Sequence, residues 1–425
     1  MKKKILVVIG LGYVGLPIAL KFSKKLKTYG FDTNIVRIKE LQNGYDKNGE
    51  YDKKSLKNNE SLCFTSHSAI ISKADYIIVT VPTPINKKKK PDFKPLNKAC
   101  KIIGKNLEKK TMILFESTVY PGATKEKCIP VIEKYSNKIW KKDFFVGYSP
   151  ERANVGDKTK SFEKIIKIIS GDCKASLKKI ENLYNLVTNK LYKVDKIEIA
   201  EAAKSLENTQ RDINIGLMNE FAIICEKLNL DTKKVIDAAS TKWNFNLFYP
   251  GLVGGHCISI DPYYLSYKSE KLNFIPKIIN SSRKINDYMP YFIKQKVLQV
   301  SKKRKKIKIL VCGLTFKENC TDIRNSKIFD LVKLLKKLKI EITLHDPYAR
   351  EIDIKKEYNE KIKSWKKISS KYDIMIIGVK HKFYVNLGLK KLYSKIKKNG
   401  FIFDIKSSFE SKKYLKENKI NYWSL

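Results

Sequence analysis

The most distinctive chemistry in this 425-residue sequence is a cysteine that follows two glycines, Gly254-Gly255-His256-Cys257, with Asp261 four residues further on. Glycines allow a substrate to approach the backbone closely beside the thiol. A thiolate is a strong nucleophile, and a carboxylate at this spacing can position water or assist the thiol. The segment therefore predicts covalent catalysis at Cys257. An isolated cysteine is more often a buried apolar filler, so this prediction depends on its context.

Lys204 and Asn208 lie four residues apart in a long segment with apolar residues at helical spacing. Residues at this spacing share one face of a helix. An ammonium and an amide on one face could together stabilise an oxyanion. Standing alone, the two side chains would be interpreted as an ordinary solvated pair, so this assignment also depends on the rest of the sequence.

A glycine-rich turn near the N-terminus is typical of a dinucleotide site. The apolar run Ile5–Ile9 predicts a buried strand, Gly10, Gly12 and Gly15 follow it, and Leu16–Leu26 has a helical pattern. Such glycines allow a tight bend and bring a pyrophosphate close to the helix N-terminus. The motif alone is a weak signal, but its place between a strand and a helix supports it.

Asp32 ends the next short predicted strand. Its carboxylate would accept hydrogen bonds from the adenosine ribose hydroxyls and would repel a 2′-phosphate. The turn and this acid together predict NAD as the cofactor. Arg37 lies close by in the sequence and keeps NADP open as an alternative.

Two α/β sections predict two Rossmann-like, doubly wound domains joined by a long central helix. We expect a NAD-binding domain at 1–195, a central helical domain with the cysteine loop and a dimer interface at 196–300, and a second Rossmann-like domain at 301–425. Alternating strands and helices indicate parallel sheets covered on both faces. Helices are predicted at Ile197–Leu228 and Ile275–Val300. Strands are predicted at Ile5–Ile9, Tyr29–Asp32, Tyr76–Val81, Met112–Glu116, Phe144–Tyr148, Ile307–Cys312, Ile340–His345, Asp373–Val379 and Phe401–Ile405.

The net charge of +44 would ordinarily favour nucleic acid or an anionic membrane as a partner. Arginine, however, occupies only seven of the 87 basic positions, and lysine is spread through every segment. Proteins that read nucleic acids usually concentrate arginine for its bidentate geometry. We therefore expect no nucleic-acid partner and keep a nucleic-acid-binding module as the alternative class of function.

The eight cysteines form no C-x-x-C pair, and the four histidines form no metal-binding motif. This pattern fits reduced thiols in a cytosol and predicts no metal site. No window reaches the ~18 uninterrupted apolar residues that cross a bilayer. We expect a cytoplasmic protein without a membrane partner.

Seven motifs in order resemble the nucleotide-sugar 6-dehydrogenases, the family of UDP-glucose, UDP-N-acetylhexosamine and GDP-mannose dehydrogenases. The similarity covers nearly the whole chain. It implies that a primary alcohol is oxidised to a carboxylate with two NAD in succession, and that the C-terminal domain binds a UDP-sugar. The motifs are Gly10–Pro17, Val81–Ile85, Glu116–Gly122, Tyr148–Arg152, Glu201–Asn208, Gly254–Asp261 and Gly313–Ser326.

The resemblance implies that Cys257 captures the intermediate aldehyde as a thiohemiacetal, which a second hydride transfer converts to a thioester. Glu151 then assists hydrolysis. The implied catalytic residues are Cys257, Glu151, Lys204 and Asn208 for the oxyanions, and Asp261 with Thr118 for the water and the reacting oxygen. The cofactor residues are Gly10, Gly12, Tyr13, Val14, Gly15, Asp32, Arg37, Thr83, Thr118 and Arg324. The substrate residues are Glu151, Arg152, Lys204, Asn208, Tyr249, Gly254 and Lys317.

Within this family, Thr241–Cys257 and Asp261–Leu265 look most like the UDP-N-acetylhexosamine branch, where Tyr249 and His256 are expected. The resemblance implies oxidation of UDP-N-acetylglucosamine or UDP-N-acetylgalactosamine for surface polysaccharide synthesis. Oxidation of UDP-glucose or GDP-mannose is the alternative, and the complete catalytic set disfavours an inactive scaffold. The long helix predicts a homodimer or larger homo-oligomer, because it offers more apolar surface than one subunit needs to cover.

Overall fold

The computed structural model describes residues 4–152, 165–301, 307–369, 372–409, 415, 417 and 419–425. The described chain forms two compact units. The first unit comprises Met1–Asn208 and Tyr263–Ile275, and the second comprises Thr209–Pro262 and Pro276–Leu425. Each unit contains its own twisted sheet, as expected for two Rossmann-like domains.

The first unit is built around an eight-stranded sheet of order β3-β2-β1-β4-β5-β6-β7-β8. Adjacent strands run parallel except β6 and β7, which pair antiparallel. The expectation of a wholly parallel sheet was wrong for this pair, because an alternating pattern does not specify the direction of an added strand. The strands are β1 Ile5–Ile9, β2 Lys27–Phe31, β3 Leu62–Thr65, β4 Tyr76–Val79, β5 Thr111–Phe115, β6 Phe144–Tyr148, β7 Lys167–Gly171 and β8 Leu191–Val194.

Helices of the first unit follow most of these strands. Leu6 and Val8 of β1 pack in one apolar cluster with Leu16 and Ile18, while the alternate residue Val7 is also buried, so both faces of the strand are covered. The helices are α1 Gly15–Phe22, α2 Ile35–Gln42, α3 Lys53–Lys57, α4 Lys94–Asn106, α5 Ile129–Ser136 and α6 Lys174–Tyr184, with a 3₁₀ turn at Ser68–Lys73 and a π-helical turn at Thr124–Cys128.

The order of the strands reverses at β1, which lies between β2 and β4. In open α/β sheets, ligands bind outside the carboxyl ends of the strands at this reversal. Gly10, Asp32, Thr83 and Thr118 all follow the carboxyl ends of strands near this point. The fold therefore places the predicted cofactor residues of the first unit along one edge of its sheet.

The long helix α7, Ile197–Lys227, runs without a break from the first unit into the second. Gly216 lies within it, and a Cβ at this position would come within 2.2 Å of the Ser282 hydroxyl oxygen. The glycine thus allows a second helix to approach α7 closely. The further helices are α8 Thr232–Ala239, α9 Asp261–Lys271 and α10 Lys277–Ser301.

The second unit contains a wholly parallel five-stranded sheet of order β10-β9-β11-β12-β13. Ile309 and Val311 of β9 belong to one apolar core, and Leu310 and Cys312 belong to another, so helices and loops cover both faces. The elements are β9 Lys308–Cys312, α11 Lys327–Lys336, β10 Glu341–His345, α12 Glu351–Tyr358, β11 Tyr372–Ile377, α13 Lys382–Tyr393, β12 Ile396–Asp404 and β13 Asn421–Ser424.

Candidate active site

The turn between β1 and α1 has the shape that a pyrophosphate requires. Gly10 has φ +93° and donates from its amide to the Phe31 carbonyl at 2.9 Å. A Cβ on Gly15 would lie 1.8 Å from the Gly10 carbonyl oxygen, whereas a Cβ on Gly12 would meet no atom within 4 Å. Gly15 therefore packs the turn against the helix, and Gly12 faces open space where a phosphate can approach the helix N-terminus.

Asp32 lines a cavity of about 440 Å³. Its Oδ2 accepts a hydrogen bond from the Leu11 amide at 2.8 Å, and its Oδ1 accepts one from the Asn34 amide at 2.9 Å. These bonds fix the carboxylate and leave it lone pairs for ribose hydroxyls. The cavity walls include Gly10, Phe31, Asp32, Val81, Pro82 and Ile102. An acid beside an apolar cleft fits the adenosine half of NAD.

Arg37 is buried and does not face this cavity. Its Nε donates to the Leu11 carbonyl at 3.0 Å, and its Nη2 pairs with Asp46 Oδ1 at 2.8 Å. The guanidinium thus stabilises the glycine turn through its hydrogen bond to Leu11, and the buried carboxylate of Asp46 neutralises its charge. This placement favours NAD over NADP, because Arg37 was the residue whose charge could have bound the 2′-phosphate of NADP.

We expect the enzyme to use NAD at least tenfold better than NADP in kcat/KM, because Asp32 repels a 2′-phosphate. In an Asp32→Ala variant the ratio of kcat/KM with NAD to kcat/KM with NADP should decrease. Initial rates with each cofactor at saturating sugar substrate measure both effects, and Glu60→Ala on the surface of the same unit is a matched control. A variant that keeps the full preference would contradict the assignment of Asp32.

Lys204 and Asn208 are buried on α7, with exposed fractions of 8% and 4%. Lys204 Nζ donates to the backbone carbonyl of Glu151 at 2.7 Å. This geometry excludes the interpretation of an ordinary solvated pair. It brings two residues of the predicted catalytic set, Glu151 and Lys204, together within the first unit.

The loop after β5, which carries Thr118, is held by α7. Glu201 is fully buried and accepts hydrogen bonds from the Gly122 amide at 2.5 Å and the Thr124 amide at 2.9 Å. Burial raises the pKa of Glu201 to about 7, although these donors act against the shift. Ser205 also donates to the Val119 carbonyl at 3.1 Å. Two residues flanking Lys204 thus fix the backbone around Thr118.

Arg152 lies beside Glu151 and is engaged on two sides. Its Nη1 donates to the Ile166 carbonyl at 2.8 Å, and its Nη2 pairs with Glu207 on α7 at 2.9 Å. The Arg152 amide donates to Glu151 Oε1 at 2.7 Å. These bonds orient the Glu151 carboxylate.

In the second unit, the loop that carries Cys257 is held against the segment after β9. Gly255 and Asn325 exchange two hydrogen bonds of 3.3 Å, from the Gly255 amide to the Asn325 carbonyl and from the Asn325 side chain to the Gly255 carbonyl. Gly255 has φ +87°, and a Cβ there would lie 2.6 Å from the Phe316 ring. Glycine is therefore required at this position, for a backbone and packing reason that differs from the substrate approach predicted for it.

Cys257 is exposed and lies four residues before the start of α9. Its carbonyl accepts from the Ile260 amide at 3.0 Å and from the Asp261 amide at 2.9 Å, so helical hydrogen bonding begins at Cys257. A helix N-terminus favours the thiolate. Asp261 itself is 1% exposed. A backbone hydrogen bond thus links Asp261 to Cys257, the predicted nucleophile.

A second clamp holds the same loop upstream of Gly254. The Asn219 side chain on α7 accepts from the Gly251 amide at 2.7 Å and donates to the Gly251 carbonyl at 3.0 Å. Asn219 also donates to Asn286 at 2.7 Å in a fully buried network. The loop between Gly251 and Gly255 is therefore anchored at both ends.

The remaining predicted residues of the second unit lie around this loop and the segment after β9. Arg324 forms a bidentate ion pair with Asp322 at 2.8 and 2.6 Å. Burial and the positive charge of Arg324 lower the pKa of His256 to about 4, so this imidazole is neutral at physiological pH. Tyr249 is half exposed, and its hydroxyl donates to Asp237 at 3.4 Å. Lys317 lies with its ammonium 5.6 Å from the Phe316 ring.

Four residues that shape the site were assigned no role from the sequence: Glu201, Asn219, Asn325 and Lys167. Glu201 and Asn325 stand inside the motifs quoted above, which was the available signal. Asn219 is a polar residue on the buried side of α7, and Lys167 is a charged residue that opens a buried strand. Neither departure from an apolar pattern specifies a partner, so the structure was needed to find them.

Two general features can be stated for the part of the chain that the structure describes. No described helix is long and apolar enough to span a membrane. Among the described residues, no three histidine, cysteine or acidic side chains are grouped closely enough to hold a metal ion.

Comparison with known families matches three domains of the UDP-glucose/GDP-mannose dehydrogenase family in order along this chain. The NAD binding domain matches residues 3–188, the central domain matches 198–288 and the UDP binding domain matches 310–411. The chain therefore belongs to the UDP-glucose/GDP-mannose dehydrogenase family. It is an NAD-dependent nucleotide-sugar dehydrogenase, which confirms the predicted class of enzyme and its cofactor.

Individual relatives are similar over nearly their whole length. Protein CapL of Staphylococcus aureus is 46% identical over 95% of this chain and 96% of its own. The UDP-N-acetyl-D-glucosamine 6-dehydrogenase of Pseudomonas aeruginosa is 44% identical over 96% of this chain and 97% of its own. The solved structure of the UDP-N-acetyl-mannosamine dehydrogenase Cap5O from S. aureus superposes with a TM-score of 0.84 at 29% identity, covering 99% of this chain and 98% of that one. The predicted fold is confirmed.

Proposed function

We propose that the enzyme oxidises C6 of a UDP-N-acetylhexosamine, UDP-N-acetylglucosamine or UDP-N-acetylgalactosamine, to the uronic acid. The observation that carries this proposal is the 44% and 43% identity, over more than nine-tenths of the chain, to two enzymes named UDP-N-acetyl-D-glucosamine 6-dehydrogenase. The UDP binding domain at 310–411 supports a UDP-sugar as substrate. The capsule-related names of relatives favour a role in surface polysaccharide synthesis.

The chemistry requires a nucleophile, because hydride loss from a primary alcohol stops at the aldehyde. In the proposed sequence the Cys257 thiolate adds to the aldehyde carbon, forming a C–S bond and an alkoxide. Loss of a second hydride from this carbon restores the carbonyl as a thioester. Water then adds, the C–S bond breaks, and the thiolate leaves with a carboxylate as product. NAD, when bound, supplies the hydride acceptor, and two NAD and one water are consumed per alcohol.

The described contacts support roles for the other residues. The buried Lys204 ammonium and Asn208 amide are suited to stabilise the oxyanions of both stages. Glu151 is the proposed base that takes a proton from the attacking water. Asp261, buried one helical turn from Cys257, and Thr118, at the end of β5, are proposed to position that water and the reacting oxygen.

We also propose that the active form is a homodimer or a larger homo-oligomer. Ile199, Leu206, Leu217 and Ile224 of α7 are between 44% and 62% exposed. Their spacing of seven, eleven and seven residues places them on one face of the helix at about 3.6 residues per turn. An exposed apolar stripe of this length is suited to pack against a second copy of the chain.

A panel of nucleotide sugars tests the substrate. We expect UDP-N-acetylglucosamine or its C4 epimer to exceed UDP-glucose in kcat/KM by roughly tenfold to a hundredfold, because a pocket shaped for an N-acetyl group loses contacts with a plain hydroxyl. Initial rates of NADH formation with each nucleotide sugar measure this difference. Higher kcat/KM with UDP-glucose or GDP-mannose would overturn the proposed substrate and leave the family unchanged.

A further inference from the structure

A buried cluster of charged side chains lies beside Glu151, inside the first unit. Lys167, the first residue of β7, pairs through Nζ with Oε2 of Glu116, which directly follows β5. The Tyr184 hydroxyl on α6 donates to Oε1 of the same carboxylate. Both oxygens of Glu116 therefore have a partner, and the Lys167 ammonium also lies 5.4 Å from the centre of the Tyr184 ring.

Burial of this cluster carries a large desolvation free energy. Glu116 and Lys167 are each 3% exposed, and both are removed from water with their charges. The attraction within a buried ion pair often fails to offset the loss of hydration, so two apolar side chains of similar size would stabilise the fold about as well. Stability alone therefore gives no reason for the pair, and its neighbours become informative.

The same ammonium reaches the proposed catalytic base. Lys167 Nζ lies 3.6 Å from Glu151 Oε2 and 3.4 Å from the Pro150 carbonyl oxygen. The contact with Glu116 is closer, so Glu116 fixes the ammonium and Glu151 experiences its charge without a tight hydrogen bond. Glu151 Oε2 can therefore still accept a proton from water.

Several titratable groups face Glu151 from the elements described around it, including Tyr51 just before α3, whose phenol interacts electrostatically with the Glu151 carboxylate. Glu116 follows β5, Tyr184 belongs to α6, and Lys204 on α7 binds the Glu151 backbone carbonyl. Arg152 is already paired with Glu207. Lys167 thus brings its ammonium within 4 Å of the Glu151 carboxylate itself.

We propose that Lys167 is a positioning residue for the hydrolytic half of the reaction, anchored by Glu116 and Tyr184 so that its ammonium orients the Glu151 carboxylate toward the attacking water. The proposal rests on the proposed function, in which Glu151 is the base for thioester hydrolysis. Lys167 itself does not contact the thioester. Its effect is electrostatic, and it acts through Glu151.

Single-turnover hydrolysis of the thioester, followed by rapid quench and intact-protein mass spectrometry at several pH values, tests this role. In Lys167→Met we expect hydrolysis to slow about tenfold at neutral pH, because the Glu151 carboxylate loses the contact that orients it. The acidic limb of the pH profile should also move up by about one unit, because a neighbouring cation favours the carboxylate. Lys167→Arg keeps the charge and should recover most of the rate.

Glu116→Gln supplies the opposite test. This change removes a neighbouring negative charge that competes with Glu151 for the Lys167 ammonium, so the acidic limb should move to lower pH. A merely structural cluster would slow hydrolysis in both variants in proportion to lost stability. Shifts in the same direction, or no shift in either variant, would overturn the proposal.

Two further proteins separate the possible failures. The double variant Glu116→Gln/Lys167→Met leaves no unpaired buried charge, so it stays informative if a single variant fails to fold; it should still hydrolyse slowly. Lys109→Met removes a surface ion pair with Asp75 of 2.8 Å in the same unit and should behave as wild type. If Glu151→Gln hydrolyses the thioester normally, the assignment of the base fails. If Glu151→Gln hydrolyses slowly but the Lys167 variants hydrolyse at the wild-type rate, the role of Lys167 is wrong and the role of Glu151 stands.

Discussion

Replacement of Cys257 by alanine should lower uronic acid formation by roughly 10⁴-fold or more, the scale seen when a catalytic nucleophile is removed. Without the thiol, no covalent route leads from the aldehyde to the carboxylate. The clamps at Gly251 and Gly255 do not involve the thiol, so the loop should keep its shape. NAD and UDP-sugar should still bind to this variant. Calorimetry measures their binding, and chromatography measures the uronic acid formed.

Cys173→Ala is a matched control for this experiment. Cys173 is also exposed, but it lies at the start of α6, where its sulfur accepts from the Ser176 amide at 3.4 Å. We expect at most a small loss of stability and normal turnover. Normal uronic acid production by Cys257→Ala would exclude the nucleophile role, whereas lost substrate binding would indicate a structural role for the loop cysteine.

Much of the fold could be predicted because buried parallel strands are continuous apolar runs. The predicted bounds of β1 and β6 agree with the structure, and most other predicted strands differ by one or two residues. β2 begins earlier than predicted, at Lys27, because the Lys27 ammonium leaves the strand to bind the Glu60 carbonyl at 3.1 Å and Thr28 satisfies its hydroxyl on the Leu26 carbonyl. Two polar residues are therefore compatible with a strand between two neighbours.

Strands β3, β7, β8 and β13 were not predicted. Of these, β7 and β8 were missed for related reasons. β7 opens with Lys167, whose charge interrupts an otherwise apolar run, and its closest partner, Glu116, lies about fifty residues earlier in the chain. β8 is a short edge strand with exposed residues such as Tyr192. Neither a distant ion-pair partner nor the place of a strand at an edge can be derived from local pattern.

The site shows the same division. Glycines that must adopt positive φ, such as Gly10 and Gly255, could be predicted from their motifs, because the backbone requirement is local. Burial of Lys204 could not, since a lysine on a helix gives no sign of whether that face meets solvent. Arg37 illustrates the reverse case: its sequence position suggested the cofactor, but its pairing with Asp46 directs it into the protein.

Replacement of Glu151 by glutamine should let both oxidations proceed and slow thioester hydrolysis by about 10²- to 10⁴-fold, the usual contribution of a general base. Glutamine keeps the shape of the side chain and can still accept a hydrogen bond from the Arg152 amide. The acyl group should therefore accumulate on Cys257 during turnover, and intact-protein mass spectrometry should detect a UDP-sugar adduct.

The time course distinguishes this stalled hydrolysis from a slow oxidation. Two NADH per active site should appear in a rapid burst before a slow steady state, because the step that follows both hydride transfers is the one impaired. Glu181→Gln, at a surface ion pair of the same unit, should show neither burst nor adduct. An adduct-free Glu151→Gln enzyme would move the base role to another residue, and Asp261, buried one helical turn from Cys257, would be the next to test.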